Sequence, residues 1–160
     1  MKELSSEEEF VQLKTDHVRL RADYANWTEA IRGSAALFTK EEVTDGFLEA
    51  LLLREKQYPT GLPVYPYGVA IPHPEPDVVL RPSIALVTLV DPVPFKMMGS
   101  PDEEVLVSIV ITLALPKKDH EQQATFLAQI IERVQDESWA RHLMEEAKTS
   151  TDALMIFKSI

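Results

Sequence analysis

Two apolar runs constrain the fold of this chain more than any other feature. Residues 83–90 read Ser-Ile-Ala-Leu-Val-Thr-Leu-Val, and residues 105–115 read Val-Leu-Val-Ser-Ile-Val-Ile-Thr-Leu-Ala-Leu. Both are rich in β-branched residues and almost continuously apolar, the pattern of central strands covered on both faces. A shorter run at 68–71 and the alternation His17-Val18-Arg19-Leu20-Arg21-Ala22 predict two further strands. Helical spacing accounts for most of the rest. Residues 26–38 carry Trp27, Ala30, Ile31, Ala35, Leu37 and Phe38 at that spacing. Thr39-Lys40-Glu41-Glu42 has the form of a capping box, Thr39 as N-cap and Glu42 three residues on. It predicts a helix running from there through Val43, Phe47, Leu48, Leu51 and Leu52 to the breaker Tyr58-Pro59-Thr60-Gly61. Residues 91–102, rich in proline and methionine, read as a long loop or irregular hairpin. Beyond Pro116, Asp119 is placed to cap a helix with Ala124, Leu127, Ile130, Ile131 and Val134 on one face, and 138–147 and 152–160 are helical too. Buried strands separated by helices predict an α/β fold: a single-domain sandwich with a central mixed β-sheet flanked by helices.

Composition narrows the chemistry. The chain has 160 residues and no cysteine, which excludes disulfides, thiolate metal sites and cysteine nucleophiles and suits a reducing cytoplasm. Its net charge of −10 repels phosphate backbones, so no nucleic-acid partner is expected. Such a surface favours a partner with a basic patch. No apolar run reaches the roughly 18 residues of a membrane span, and the acidic Glu7-Glu8-Glu9 is unlike a signal peptide. A soluble protein is expected. Residues 1–16 are polar, with Phe10, Val11 and Leu13 as the only apolar cluster, and read as an N-terminal arm, frayed or forming a short docking helix; the domain proper is 17–160.

Reactive side chains are few. G-x-S-x-G, G-x-G-x-x-G, P-loop and HExxH patterns are absent, and no spacing of histidines suggests a metal site. Of the four histidines, His17 and His142 read as surface or boundary residues without a role. His73 stands apart, in Gly68-Val69-Ala70-Ile71-Pro72-His73-Pro74-Glu75-Pro76. Proline fixes its own φ and pushes the residue before it into extended geometry, so the backbone on either side of this imidazole is stiffened. A strand end that holds one histidine rigidly is suited to presenting a nucleophile. His120 opens the helix after the longest apolar run, four residues before Ala124 and seven before Leu127. A helix N-terminus attracts anions and disfavours imidazolium. Arg54 lies near the end of its helix, where a cation complements the helix dipole and a guanidinium also suits phosphate oxygens.

Taken in order, these blocks resemble the enzyme IIA domains of the bacterial sugar phosphotransferase system, fructose/mannitol class, galactitol-type branch. The blocks are Leu53-Arg54-Glu55-Lys56-Gln57-Tyr58-Pro59-Thr60-Gly61-Leu62-Pro63, then Gly68 to His73. Pro92-Val93-Pro94-Phe95-Lys96-Met97-Met98-Gly99 with Asp102-Glu103-Glu104-Val105 follows, and the long strand and His120 helix come last. The likeness runs from about residue 18 to the end of the chain, making 17–160 a IIA domain of the second type. It implies a phosphotransferase component that accepts a phosphoryl group from phosphohistidine on HPr and passes it to a cysteine on a cognate enzyme IIB. The sugar is then phosphorylated during uptake through a membrane IIC subunit. The phospho-accepting histidine closes the Ile-Pro-His motif, hence His73, with His120 and Arg54 as the supporting residues. Reaction through Nε2 requires the proton of His73 to sit on Nδ1, held by an acceptor. No cofactor or metal is implied. A regulatory module that uses the same histidine to control another protein is the alternative. Pro74 departs from the family's small or hydroxyl residue after the histidine and removes a backbone N–H from the phosphate. Val64-Tyr65-Pro66-Tyr67 is unusually aromatic, suited to covering the sheet edge or shaping a docking surface, and Met97-Met98 to core filling or partner contact.

Overall fold

The computed structural model describes residues 11–117 and 120–158, the side chain of His120 excepted, so the cap expected at Asp119 and the apolar Phe10 lie outside it. In chain order the elements are β1 (Val18–Ala22), α1 (Trp27–Ala35), α2 (Phe47–Gln57), β2 (Gly61–Leu62), β3 (Gly68–Ala70), β4 (Ser83–Met97) and β5 (Ser100–Ala114). There follow α3 (His120–Val134), α4 (Glu137–Arg141), a π-helical turn (His142–Glu146) and α5 (Ser150–Lys158). β1 runs parallel to β4, β4 antiparallel to β5, β5 parallel to β3, and β3 antiparallel to β2. A single parallel bridge, Gly61 to Met97, returns β2 to the far end of β4, so four of the five strands form a closed circuit.

The sheet is mixed and covered on both faces, as the apolar runs require. Alternate side chains of one strand point to opposite faces. Ile84 and Leu86 therefore join Ile109, Ile111 and Leu113 beneath Phe126, Ile130, Val134 and Trp139 of α3 and α4. Ala85 and Val87 join Val107 and Val110 beneath Ala30, Ile31, Phe47 and Leu51 of α1 and α2. Val11 and Leu13 are buried in the first of these cores. Asn26 caps α1 by accepting from the Glu29 N–H at 3.0 Å, while the Glu29 carboxylate accepts from Ala25 N–H. Among the described residues no helix is long and apolar enough to cross a membrane.

Two sequence expectations need correction, and one open alternative is decided. The Thr39 capping box does form one turn, with Glu42 accepting from the Thr39 N–H at 2.9 Å, but the helix begins only at Phe47. The backbone between is recruited elsewhere: the Glu42 carbonyl accepts from Leu80 and Arg81 N–H, Thr44 N–H donates to Val78, and Val43 bridges Val79. Second, His17 is not a boundary residue. A 3-10 turn over Thr15–His17 turns its ring inward, where Nε2 lies 2.8 Å from a Glu42 carboxylate oxygen and the ring packs edge-on against Phe38. Burial raises the Glu42 pKa, but the Thr39 N–H, His17 and Lys14 outweigh it and leave the group below its ordinary value. Third, of the long loop or irregular hairpin expected over residues 91–102, the irregular hairpin forms. β4 and β5 continue as a paired ribbon to a tight turn at Gly99, whose φ of 78° suits glycine. The register shift between Thr88 and Val93 accommodates Asp91 and Pro92, since proline is tolerated in sheets at bulges.

The strand that leads to His73 depends on a close approach. A Cβ on Gly68 would sit 2.2 Å from the Leu106 carbonyl oxygen of β5. Gly68→Ala should therefore lower unfolding stability by roughly 1–3 kcal/mol in urea titrations. Unchanged stability would refute this account of the β3–β5 contact.

Candidate active site

β3 ends at Ala70, but β5 keeps hold of the chain beyond it: the Leu113 N–H donates to the Pro72 carbonyl at 2.9 Å. Between these points Ile71 is fixed from both sides. Its N–H donates to the Thr60 hydroxyl oxygen at 3.1 Å, and its carbonyl oxygen lies 2.8 Å from His73 Nδ1. A carbonyl can only accept, so the proton is on Nδ1 and the lone pair is on Nε2. Burial pushes the His73 pKa below its ordinary 6.5; Arg54 pushes the same way, against the Ile71 carbonyl and Glu75. The ring is thus a neutral imidazole near pH 7, with its tautomer set by the main chain.

Thr60 is held in turn by Glu55. The Thr60 N–H donates to one carboxylate oxygen at 2.9 Å and its hydroxyl donates to the other at 2.8 Å, leaving a hydroxyl lone pair for the Ile71 N–H. Burial pushes the Glu55 pKa up to about 7, with the two Thr60 bonds pulling it down. Glu55 follows Phe47 and Leu51 at four-residue intervals on the buried face of α2, whereas Arg54, one residue earlier, faces the site. Arg54 Nη1 pairs with the Glu75 carboxylate and the guanidinium lies 4.7 Å over the Tyr58 ring.

His73 and Arg54 both line one open cavity of about 600 Å³, together with Glu75, Lys117, Gln123 and Leu127. Of the three residues singled out from sequence, two therefore meet here. The third, His120, is the first residue of α3, whose Gln123, Ala124 and Leu127 line the same cavity; its side chain lies outside the described set. Glu55, Thr60, Glu75, Lys117 and Gln123 were given no role from sequence. The 47-51-55 spacing was a usable signal for Glu55, since it puts a carboxylate on an apolar stripe. Nothing comparable marks Glu75 or Gln123. The aromatic segment divides: Tyr67 packs against the core and donates to Glu145 at 2.6 Å, while Tyr65 is exposed, with Arg141 over its ring. Met97, partly buried, packs against the core, and Met98 is 36% exposed. Among the described residues no group of three or more histidine, aspartate or glutamate side chains converges on a point where a metal ion would sit.

A neutral imidazole with its lone pair on Nε2, lining the same cavity as a guanidinium, is chemically able to receive an electrophilic anion. The model of the family described as "Phosphoenolpyruvate-dependent sugar phosphotransferase system, EIIA 2" matches residues 11–160, and the chain belongs to that family. Its domains are phosphotransferase components. Solved structures agree in fold. The nitrogen regulatory protein IIA-Ntr from Neisseria meningitidis matches with 22% identity and a TM-score of 0.76, over 96% of this chain and 100% of that one. The enzyme IIA of mannitol from Escherichia coli, in its complex with phosphorylated enzyme IIB, matches with 24% identity and a TM-score of 0.69, over 91% and 96%. The same IIA in a crystal structure gives 24%, 0.64, 91% and 98%. No curated protein matches the sequence.

Two measurements check the electrostatics. In an NMR titration His73 should protonate below pH 6.5, and its neutral form should show Nε2 as the unprotonated nitrogen; an Nε2–H tautomer contradicts the Ile71 bond. Glu55 holds its proton more tightly folded than unfolded, so its contribution to stability falls as pH rises from about 4.5 to about 7 and is level above. Glu55→Gln should remove up to about 3 kcal/mol of that pH dependence in urea unfolding between pH 4.5 and 8. An identical slope in the variant would show that the carboxyl is not so perturbed.

Proposed function

We propose that this chain is the cytoplasmic IIA component of a sugar phosphotransferase system. In this reading His73 Nε2 takes a phosphoryl group from the phosphohistidine of HPr and passes it to a cysteine of a cognate enzyme IIB. A galactitol-like or related sugar is then phosphorylated as it enters through a membrane IIC subunit. The observation that carries the reading is the Nδ1–H···O=C bond from His73 to Ile71, because it leaves Nε2 as the nucleophile.

The transfer balances simply. When the donor phosphohistidine carries a proton on its other ring nitrogen, the His73 Nε2–P bond forms as the donor N–P bond breaks. The donor keeps that electron pair and leaves as neutral imidazole. No proton moves. The positive charge passes to the His73 ring, where the Ile71 carbonyl already accepts the Nδ1–H. Phosphoryl transfer asks chiefly for positioning and for cations on the equatorial oxygens. Arg54 serves as that cation, and His120 as a second donor at the head of α3. The chain's lack of cysteine is in keeping with a cytoplasmic setting.

The test is incubation with phosphoenolpyruvate, enzyme I and HPr, reading acid-labile, alkali-stable phosphate on the chain. His73→Ala should accept none; acceptance would overturn the site. Arg54→Ala should slow transfer about 10- to 100-fold, with Arg54→Lys between it and the native rate. Equal, native rates in both would leave Arg54 only a helix-dipole role. His120→Ala should slow onward transfer to IIB while leaving some acceptance. Phosphorylation of His73 with no passage to any IIB would favour the regulatory alternative.

A further inference from the structure

Glu75 stands two residues after His73 and holds the guanidinium that a phosphoryl group on His73 would need. Its side chain is 62% exposed, whereas that of Arg54 is 28% exposed and rests on the Tyr58 ring. The cation is therefore fixed, and the anion can return to water. Two further donors on the same cavity wall, Arg54 Nε and Gln123 Nε2, are buried with no hydrogen-bond partner among the described residues. Buried donors are seldom left unmatched, and two of them on residues that line the same cavity as His73 point to an anion that the resting site lacks.

We propose that Glu75 is a built-in competitor for the phosphate position: its carboxylate occupies Arg54 while His73 is bare, and is displaced when a phosphoryl group sits on Nε2. The inference rests on His73 being the phosphoryl carrier. A carboxylate and a phosphoryl group present similar oxygens to a guanidinium, and two anions do not share one cation without repulsion. On transfer, Arg54 Nη1 passes from Glu75 to a phosphoryl oxygen, and Arg54 Nε and Gln123 Nε2 gain acceptors. The backbone need not move. Glu75 has φ −63° and ψ 151° between two prolines, so rotation of its side chain alone frees the guanidinium. The consequence is energetic. Displacing Glu75 offsets part of the stabilisation of phospho-His73, which keeps the group transferable.

The test compares the native chain with Glu75→Gln, which removes the charge and keeps the shape. With HPr and catalytic enzyme I at equilibrium, the phosphoryl partition should shift about 3- to 10-fold toward the variant, as expected for loss of a partly exposed ionic competitor. An unchanged partition, or a shift toward HPr, overturns the proposal; a purely structural role for the pair predicts that second sign. If the native chain accepts no phosphoryl group at all, the carrier reading fails instead. The competitor role is then judged with inorganic phosphate, which should bind Glu75→Gln about 3- to 10-fold more tightly than the native chain. Equal affinity overturns it.

Discussion

The site depends on one hydrogen bond between a ring and the main chain. His73 Nδ1 gives its proton to the Ile71 carbonyl, and every chemical property of the other nitrogen follows from that. The bond is reliable because Ile71 cannot shift: its N–H is bound to Thr60, Thr60 is bound twice to Glu55, and the next carbonyl is bound to Leu113. The imidazole is thus oriented by the helix α2, through the Glu55 and Thr60 side chains, and by the strand β5, through its backbone. Rigid support of this kind is what a transfer reaction with little covalent chemistry requires of a protein.

Burial first, and Arg54 with it, keep the ring neutral against the pull of the Ile71 carbonyl that orients it. The proline on each side of His73 has no backbone N–H to offer. With Pro74 unable to offer an N–H, the donors of this cavity come from side chains: Arg54 and Gln123 line it, and Lys117 adds a cation to its wall. Side-chain donors are adjustable one residue at a time, in a way that a backbone cradle is not.

Much of this was legible in the residues. The sandwich followed from two runs too apolar to face water on either side, and the fixed placement of the His73 ring from the stiffness of Ile-Pro-His-Pro. What escaped reading were places where a local preference lost to a distant partner. Thr39 and Glu42 form their turn as expected, yet the 78–81 segment takes the backbone groups that a continuing helix would need. Prolines at 92 and 94 leave a loop and an irregular hairpin both open until β5 is in place to pair with the residues around them. His17 looks like a strand-edge residue until Glu42, 25 positions later, is brought against it. Glu75 is the same lesson at the site: nothing within a few residues announces that its partner is Arg54.

The closed circuit of strands has a consequence of its own. β2 is only two residues long, yet it is pinned on one side by Ala70 and Val69 and on the other by Met97, at the end of the long ribbon. Thr60 immediately precedes it. The distance from the base of the β4–β5 ribbon to its Gly99 turn therefore acts as a gauge for where Thr60 sits. Lengthening or shortening that ribbon by a residue pair would reset the anchor of the imidazole from the opposite end of the sheet. A hairpin tip that looks like an ornament is in this architecture a spacer with a fixed length, and drift in its size is tied to the geometry of a nitrogen it never touches.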